Sequence, residues 1–492
     1  MPEPNGYTRR ASNQPRRRLR SALALVAAVA AAVALLSGVI ALADTGPSAT
    51  PGTASDGGDV QSASYSPNMA STLRVSETYT TFLPLIVRSG ARPWPDTTTG
   101  IWVFNDQLAT ASMTEAQFQF AATHYAGTQK LLRDATRHLR QYNPNFLVLH
   151  YRLGQALGHS IPGGACQPTT NYLSIVNGNQ WVQEWPGDST VQENWFFHYG
   201  TPGSRVFHCE WGHYLTELND VDWREWWSAQ VIQQLQNNEN DGVFADSYSV
   251  PNYIGGYEPT LPSVDSAFES AWSAREYNFT DYIRAQFAGR WKWIPNIGAY
   301  ITTRDPSDYS NVDGAMIEGF AEWDRDSYFD VGDWELQMNR ILSLGRADKI
   351  LIAQTYPNEG DVDERLFVLG SYLLVKGKHT YVNLETFLEP EWFPEYTLDL
   401  GAPTDALPGN ISAYLHPTWN VYVRHYAKGL VLVNPGDASR TVNLSATYYR
   451  SVPSGGGPVP EDGVAPGSLS YQAVSSVTLH AHQAAILLNQ VP

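Results

Sequence analysis

Between Ile101 and about Glu385 the chain alternates short apolar β-rich runs with amphipathic stretches, and this rhythm restricts the fold more than any other feature. Such alternation predicts a parallel sheet with crossover helices. The expected strands are 101–104, 125–130, 145–151, 242–246, 292–297, 312–318, 349–356 and 379–384. Helices are expected between them, at about 114–122, 131–141, 222–237, 264–289, 330–345 and 361–376. The third has capping-box spacing in Asp222-Trp223-Arg224-Glu225, with Asp222 as the cap. Eight strands over roughly 285 residues suit an α/β fold of the TIM-type (β/α)8 barrel kind, which typically takes about 250. A doubly wound open sheet is the competing fold, favoured by a glycine-rich phosphate loop after the first strand. Asn105-Asp106-Gln107 stands there instead.

The interval 152–218 is too long for a plain loop. It holds Trp181, Trp185, Trp195 and Trp211, and it follows the third strand on the face where barrel enzymes build active sites. It is read as a folded insertion walling a cleft. After about 408 helical periodicity fades, and short runs such as GLVLVNP (429–435) and QAAILLN (483–489) appear between turn formers. They predict a small C-terminal antiparallel β-sandwich. The expected domains are therefore a barrel over 96–405 and a β-sandwich over 406–492.

Charge and hydropathy bound what the chain binds and where it sits. The first twenty residues hold six arginines and one acid, a local +5 in a chain of −17, leaving −22 on the rest. A body this acidic argues against nucleic acid, which needs a basic face, and suits a neutral or cationic substrate. Residues 21–43 carry no charge and are long enough for a bilayer, which takes about 20 apolar residues. The arginine flank would stay cytoplasmic and place the rest outside. Ala41-Leu42-Ala43 also fits a cleavage site, so signal peptide and membrane anchor both remain open over 1–43. Either makes the working part extracytoplasmic, with membrane contact only through this segment. Residues 44–95 read as a linker, their first part rich in Ser, Thr, Gly, Ala and Pro. The apolar patch 81–88 within them is a docking strand or a sorting element. The two cysteines, Cys166 and Cys209, are too few for a disulfide scaffold. In an exported protein they are expected to pair, closing a loop of about 44 residues worth roughly 3–4 kcal/mol.

The chemistry is expected at the C-terminal strand ends, where barrel side chains point into the active site. Asp246 ends GVFAD and Glu318 ends GAMIE. An ionisable residue closing an apolar run is costly unless a cleft solvates it or a partner pairs with it. Glycosidic cleavage needs two such carboxyls, one ionised and one protonated. Asp246 and Glu318 are the catalytic candidates, and the hydroxyls of Ser247 and Tyr248 are expected to face Asp246. Other strand ends supply a polar lining for sugar hydroxyls: Asn105, Asp106, His150, Tyr151, Arg152, Asn296, Gln354, Tyr356, Asn383 and Glu385, with Tyr248 and Trp211 beside them. Fourteen of the sixteen tryptophans lie within 101–400, which suits a carbohydrate cleft, although many must be core residues. Glu322, Asp324 and Asp326 are read as a solvated acidic loop, with rival acids or a cation site as alternatives. No cofactor or metal is expected: Gly-x-Ser-x-Gly, Walker, HExxH and CxxC motifs do not occur.

The segments DGVFADSYS (241–249), VDGAMIEGF (312–320), ILIAQTYP (350–357) and NDVDWREWW (219–227) resemble the uncharacterised glycoside-hydrolase barrels. More distantly they resemble the α-1,4-polygalactosaminidase, α-galactosidase and α-amylase-like barrels. The resemblance spans about 101–490 and implies a retaining mechanism on a poly- or oligosaccharide, with Asp246 as nucleophile and Glu318 as general acid/base. In the α-amylase-like arrangement the acid stands on strand five, where this chain has Asn296, which departs from that group. A barrel that binds glycans without cleaving them is the alternative.

Overall fold

A computed structural model describes residues 92–159, 172–176, 182–184, 191–201, 203–386 and 390–492. The arginine-rich start, the apolar segment 21–43, the linker to residue 91, Trp181, Trp185 and Cys166 lie outside them. Among the described residues no helix is long and apolar enough to cross a membrane.

Eight parallel strands carry the fold: β1 Val103–Gln107, β2 Tyr125–Gln129, β3 Leu147–Leu153, β4 Gly242–Asp246, β5 Lys292–Pro295, β6 Gly314–Glu318, β7 Ile350–Thr355 and β8 Thr380–Leu384. They pair in the order β5-β4-β3-β2-β1-β8-β7-β6. A parallel bridge between Asn296 and Met316 joins the two ends, so the sheet closes as a barrel. Helices α1 Glu115–His124, α2 Arg133–Tyr142, α3 Val221–Asn238, α4 Ser266–Phe287, α5 Val331–Arg346 and α6 Val362–Val375 lie between strands, as the alternation of patterns predicts. The cap of α3 is Asp220, which accepts from the Trp223 amide; Asp222 falls inside the first turn. Asp, Asn, Ser and Thr all cap well, so an Asp-x-Asp sequence leaves two starting points and tertiary contacts choose.

Strand residues alternate between the lumen and the helix layer. Phe104, Leu147, Leu149, Phe244, Ile294, Met316, Ile350, Ile352 and Tyr381 form one buried cluster inside the barrel. Trp94 stacks on Phe104 at 5.6 Å and joins that cluster. Each such side chain contributes roughly 1.5–3 kcal/mol by leaving water, and the filled lumen leaves only the strand ends free for chemistry.

The insertion after β3 is folded. Strands Ala156–His159, Tyr172–Val176, Val182–Glu184, Phe207–His208 and His213–Leu215 join Tyr257–Glu258 in a six-stranded antiparallel sheet. Cys209, next to one of these strands, is disulfide-bonded.

The C-terminal part is antiparallel as expected. Its strands are β9 Tyr422–Tyr426, β10 Gly429–Asn434, β11 Arg440–Ser454, β12 Ser468–Leu479 and β13 Gln483–Leu488. A break in register between Asn443 and Tyr448 divides the β11–β12 hairpin. Val442, Val477 and Leu479 from its first half cluster with Leu430, Leu432, Ala485 and Leu487, making a core of their own. Val431, Val433, Ala484 and Ile486, of opposite parity, share the main core with Leu366, Phe367 and Leu373 of α6. Covered by barrel and sheet alike, α6 is buried from Glu364 to Val375, which explains why its sequence is apolar all round.

Strands β4 and β6 begin alike. Asp241-Gly242 and Asp313-Gly314 precede apolar triplets, and each aspartate bonds a neighbouring strand: Asp241 accepts from the Val148 amide at 2.8 Å and Asp313 from the Trp293 amide at 3.0 Å. A Cβ on Gly242 would come within 2.5 Å of the Lys292 carbonyl oxygen, and one on Gly314 within 2.4 Å of that of Ile350. Only glycine permits this approach. Asp241 also pairs with Arg140 at 2.7 Å and Arg92 at 3.0 Å. Replacing it by Asn leaves those guanidiniums uncompensated. Chemical denaturation of Asp241→Asn is expected to register a loss of about 3–5 kcal/mol, the cost of removing one partner from a buried pair.

Candidate active site

At the other end of the same strands stand Asp246 and Glu318. Parallel pairing sets Asp246 beside Leu153, and Glu318 beside Gln354, which is beside Asn383. Parity with the lumen cluster then turns Tyr151, Asp246, Glu318, Gln354 and Asn383 toward the barrel axis. Asn296, just beyond β5, lies between the two acids. Its Nδ2 donates to Asp246 Oδ1 at 2.9 Å and to Glu318 Oε2 at 2.5 Å. Oxygens bound to one nitrogen at these distances are at most 5.4 Å apart, the sum of the two lengths. The amide cannot flip without losing its own bond, because its Oδ1 accepts from the Gly298 amide at 3.0 Å.

Each carboxylate meets further donors. Tyr151 Oη donates to Asp246 Oδ2 at 2.7 Å, and the Ser247 amide donates to Oδ1, also at 2.7 Å. Tyr356 Oη donates to Glu318 Oε1 and accepts from Gln354 Nε2. Asn383 Nδ2 extends the chain, donating to Gln354 Oε1 at 3.3 Å and to Glu385 Oε2 at 2.8 Å. Burial raises the Glu318 pKa above the ordinary glutamate range, and the Asp246 charge adds to it against the opposing bonds from Tyr356 and Asn296. Glu385 lies well above that range, through burial first and then the charges of Glu391 and Asp106.

Asp106 completes the ring. It accepts from Gln129 Nε2 at 2.6 Å and from Lys130 Nζ at 2.7 Å. Burial alone would depress the Lys130 pKa, but Asp106, then Asp246 and Glu318, lift it above the usual value. Lys130 adopts a left-handed φ of 66°, a conformation that costs a non-glycine residue about 1–2 kcal/mol. Gln129 and Lys130 end β2, whose pairing with β1 shifts register twice. The strand-end rule that picks Asp246 would have picked them too, but period-two reading loses its phase at such irregularities.

Four expected lining residues lie elsewhere. His150 and Arg152 have the parity of Val148, on the helix side of β3. His150 shares a 2.6 Å hydrogen bond with Gln234 of α3, and burial, then the Arg152 charge, lowers its pKa to about 3. Asn105 also faces outward, accepting from Thr128 Oγ1 at 3.1 Å. Tyr248 is fully buried and donates to the Glu276 carbonyl at 2.6 Å. Ser247, at φ 56°, turns the chain there, so Asp246 is met by the Ser247 amide and Tyr151 rather than by the hydroxyls of Ser247 and Tyr248. Trp211 belongs to the insertion, stacked on His208 at 4.2 Å. His208 packs edge-on against Tyr257, whose phenol is held above its usual range by burial and then by the Asp246 charge.

A closed eight-stranded barrel with two carboxyls bridged at its C-terminal mouth has the groups that glycosidic cleavage requires. The chain belongs to the hypothetical glycosyl hydrolase family 15, whose profile matches residues 140–430. No curated protein matches it. Solved structures similar to it include a Paenibacillus sp. cycloisomaltooligosaccharide glucanotransferase complexed with cycloisomaltoheptaose, at 12% identity and TM-score 0.34 over 79% of this chain and 55% of that one. An Anoxybacillus α-amylase matches at 9% and 0.35 over 80% and 98%. A Geobacillus stearothermophilus GH36 α-galactosidase in complex with stachyose matches at 9% and 0.35 over 79% and 55%. The chain thus spans about half the length of the first and third. Similarity this low bears on neither substrate nor linkage.

The raised pKa of Glu318 has a consequence for stability. A carboxyl whose folded pKa exceeds its unfolded value binds its proton more tightly in the native state, so stability falls as pH rises from the unfolded value, about 4.3, through the folded one. Glutamine removes this loss. Thermal unfolding at a series of pH values is expected to find Glu318→Gln gaining on the wild type as the pH rises above about 4. A constant difference would mean that the carboxyl titrates normally.

Proposed function

We propose that the protein is a retaining glycoside hydrolase acting on a neutral poly- or oligosaccharide outside the cytoplasm, with Asp246 as nucleophile and Glu318 as general acid/base. The observation that carries this reading is the Asn296 bridge, which limits the facing carboxylate oxygens to 5.4 Å. Retaining enzymes hold their carboxyls about 5–5.5 Å apart, whereas inverting enzymes need about 6.5–9.5 Å to admit a water.

Protonated Glu318 gives its proton to the leaving glycosidic oxygen while an Asp246 oxygen attacks the anomeric carbon. The carbon–oxygen bond to the leaving sugar breaks as the ester bond to Asp246 forms. Glu318, now ionised, takes a proton from water, whose oxygen displaces Asp246 and returns both groups to their starting states. Tyr151 and the Ser247 amide solvate the Asp246 carboxylate in place of water. Asp106, Lys130, Gln354, Asn383 and Glu385 offer donors and acceptors for sugar hydroxyls. Asp106 and Asp246 outnumber Lys130 at these strand ends even with Glu318 and Glu385 held protonated, which favours a neutral sugar over an anionic one. The uncharged segment 21–43 behind an arginine-rich start supports export.

A glycan panel followed by proton NMR of the first-formed product tests the mechanism: the released sugar is expected to keep its anomeric configuration, and inversion would overturn the retaining assignment. Asp246→Asn is expected to abolish turnover but not binding, whereas a purely glycan-binding barrel has no turnover to lose. Glu318→Gln is expected to lower turnover by about 10²–10⁴ and to remove the alkaline limb of the kcat/KM profile. That limb should lie above the ordinary glutamate range, because the acid works only while protonated.

A further inference from the structure

The loop that leaves Glu318 carries an exposed tryptophan. Trp323 is 45% exposed, and among the described residues every other strongly exposed large apolar side chain is a valine or a leucine. Single aliphatic side chains on a surface are ordinary. A half-bare indole puts a larger, flat apolar face into water, and its rigidity and its position set this one apart from a loosely held surface ring.

The loop is held in one shape. Glu322 and Tyr328 form an antiparallel bridge, the Trp323 amide donates to the Ser327 carbonyl at 2.9 Å, and the Ser327 amide donates to the Asp324 carbonyl at 2.8 Å. The buried Gln337 of α5 fixes the start of the loop: its Oε1 accepts from the Ala321 amide at 2.8 Å, and its Nε2 donates to the Gly319 carbonyl at 2.9 Å and the Ala299 carbonyl at 2.7 Å. The indole packs edge-on against buried Phe329, with ring centroids 5.2 Å apart.

The position is the rim beside the acid. Gly319 directly follows Glu318, and a Cβ placed on it would lie 3.8 Å from Cε3 of Trp323 and 3.4 Å from Cβ of Ala299. The indole therefore stands against the backbone that leaves Glu318, next to the loop after β5. Polar groups stand on the Asp246 side. Tyr151 donates to Asp246, the Lys130 ammonium lies 5.4 Å from the Tyr151 ring centre, and Lys130 pairs with Asp106.

We propose that Trp323 is the platform on which the leaving sugar stacks. The inference rests on the retaining-hydrolase reading and gives it a direction. Asp246 attacks the anomeric carbon, and Glu318 protonates the oxygen that joins it to the leaving sugar. The transferred sugar then sits among Tyr151, Lys130 and Asp106, and the leaving sugar passes Glu318 toward Trp323. The C–H face of a sugar ring is flat and apolar and covers an indole face while its hydroxyls stay in water. A ring already fixed by Phe329 and the hairpin loses little freedom when it is covered.

The test uses the full-length enzyme, an oligosaccharide that a glycan panel shows it to cleave, and the glycosyl fluoride with the same transferred sugar. With the fluoride the carbon–fluorine bond breaks as the ester bond to Asp246 forms, and no leaving sugar covers Trp323. Trp323→Ala is expected to lower kcat/KM on the oligosaccharide about tenfold or more relative to its effect on the fluoride. The loss should fall chiefly on KM, because the stack forms before the transition state as well as in it. Trp323→Phe, which keeps a flat ring, should recover most of it. Trp323→Gln removes that ring while keeping a long side chain over Phe329, and it serves should Trp323→Ala not fold. Equal losses on the two substrates, or wild-type kinetics on the oligosaccharide, overturn this inference and leave the hydrolase reading standing. A wild type that turns over no glycan and no fluoride overturns the hydrolase reading, and this inference with it.

Discussion

One side-chain amide, that of Asn296, stands between the two acids, and the geometry of the pair depends on it. It can reach both because the barrel closes between β5 and β6, where Asn296 bridges to Met316, two residues before Glu318. An open sheet would leave β5 and β6 at opposite edges of the strand order, with Asp246 and Glu318 far apart. Closure in turn rests on the packed lumen, whose apolar side chains come from every strand of the barrel. The same burial that stabilises the barrel strips water from Glu318 and raises its affinity for a proton.

Strands β4 and β6 carry an acid at each end, and their partners separate structural from chemical roles. At the N-terminal end Asp241 meets two arginines, and Asp313 meets Arg284 at 3.0 Å. At the C-terminal end Asp246 and Glu318 meet an amide, phenols and a backbone N–H. An arginine partner would lock a carboxylate in its ionised form. Neutral donors hold the position of an acid while leaving it able to exchange a proton. On β4 and β6 the guanidiniums thus stand at the floor and the phenols and amides at the mouth.

The repeating pattern made much of this legible. Strand and helix periods placed all eight strands and six crossover helices, and the acids that end GVFAD and GAMIE come together as strand position alone suggests. Legibility failed where a strand end was treated as a set rather than as alternating faces. His150 and Arg152 flank Tyr151, and only Tyr151 faces the lumen; Asn105 flanks Asp106 in the same way. Parity was available in the sequence, but its phase is set only by knowing which residues fill the lumen. Tyr248 lay beyond reach for a different reason, since the turn at Ser247 depends on a backbone conformation that serine seldom adopts. Lys130 ends the expected strand 125–130, so the strand-end rule reaches it too; what the register shifts between β1 and β2 conceal is its pairing with Asp106. The acidic loop from Glu322 to Asp326 is legible in the sequence, but that Asp326 comes close to Asp361 and Glu364, some forty residues on, has no local signature.

The charge of the mouth fits the reaction better than it fits binding alone. A pocket built only to hold a neutral sugar gains nothing from several close carboxylates, which repel one another and resist burial. Glycosidic cleavage passes through an oxocarbenium-like state in which the sugar ring becomes positive. In the proposed mechanism the Asp246 carboxylate, fixed in advance by Asn296 and Tyr151, stabilises that charge as it develops, with no reorganisation at the moment of reaction. Glu318 enters the proposed reaction protonated, so no second carboxylate charge opposes that of Asp246 at rest, and its burial serves proton donation. The Lys130 ammonium at the same mouth is held by Asp106 rather than by Asp246 or Glu318, so it leaves the charge of Asp246 uncancelled.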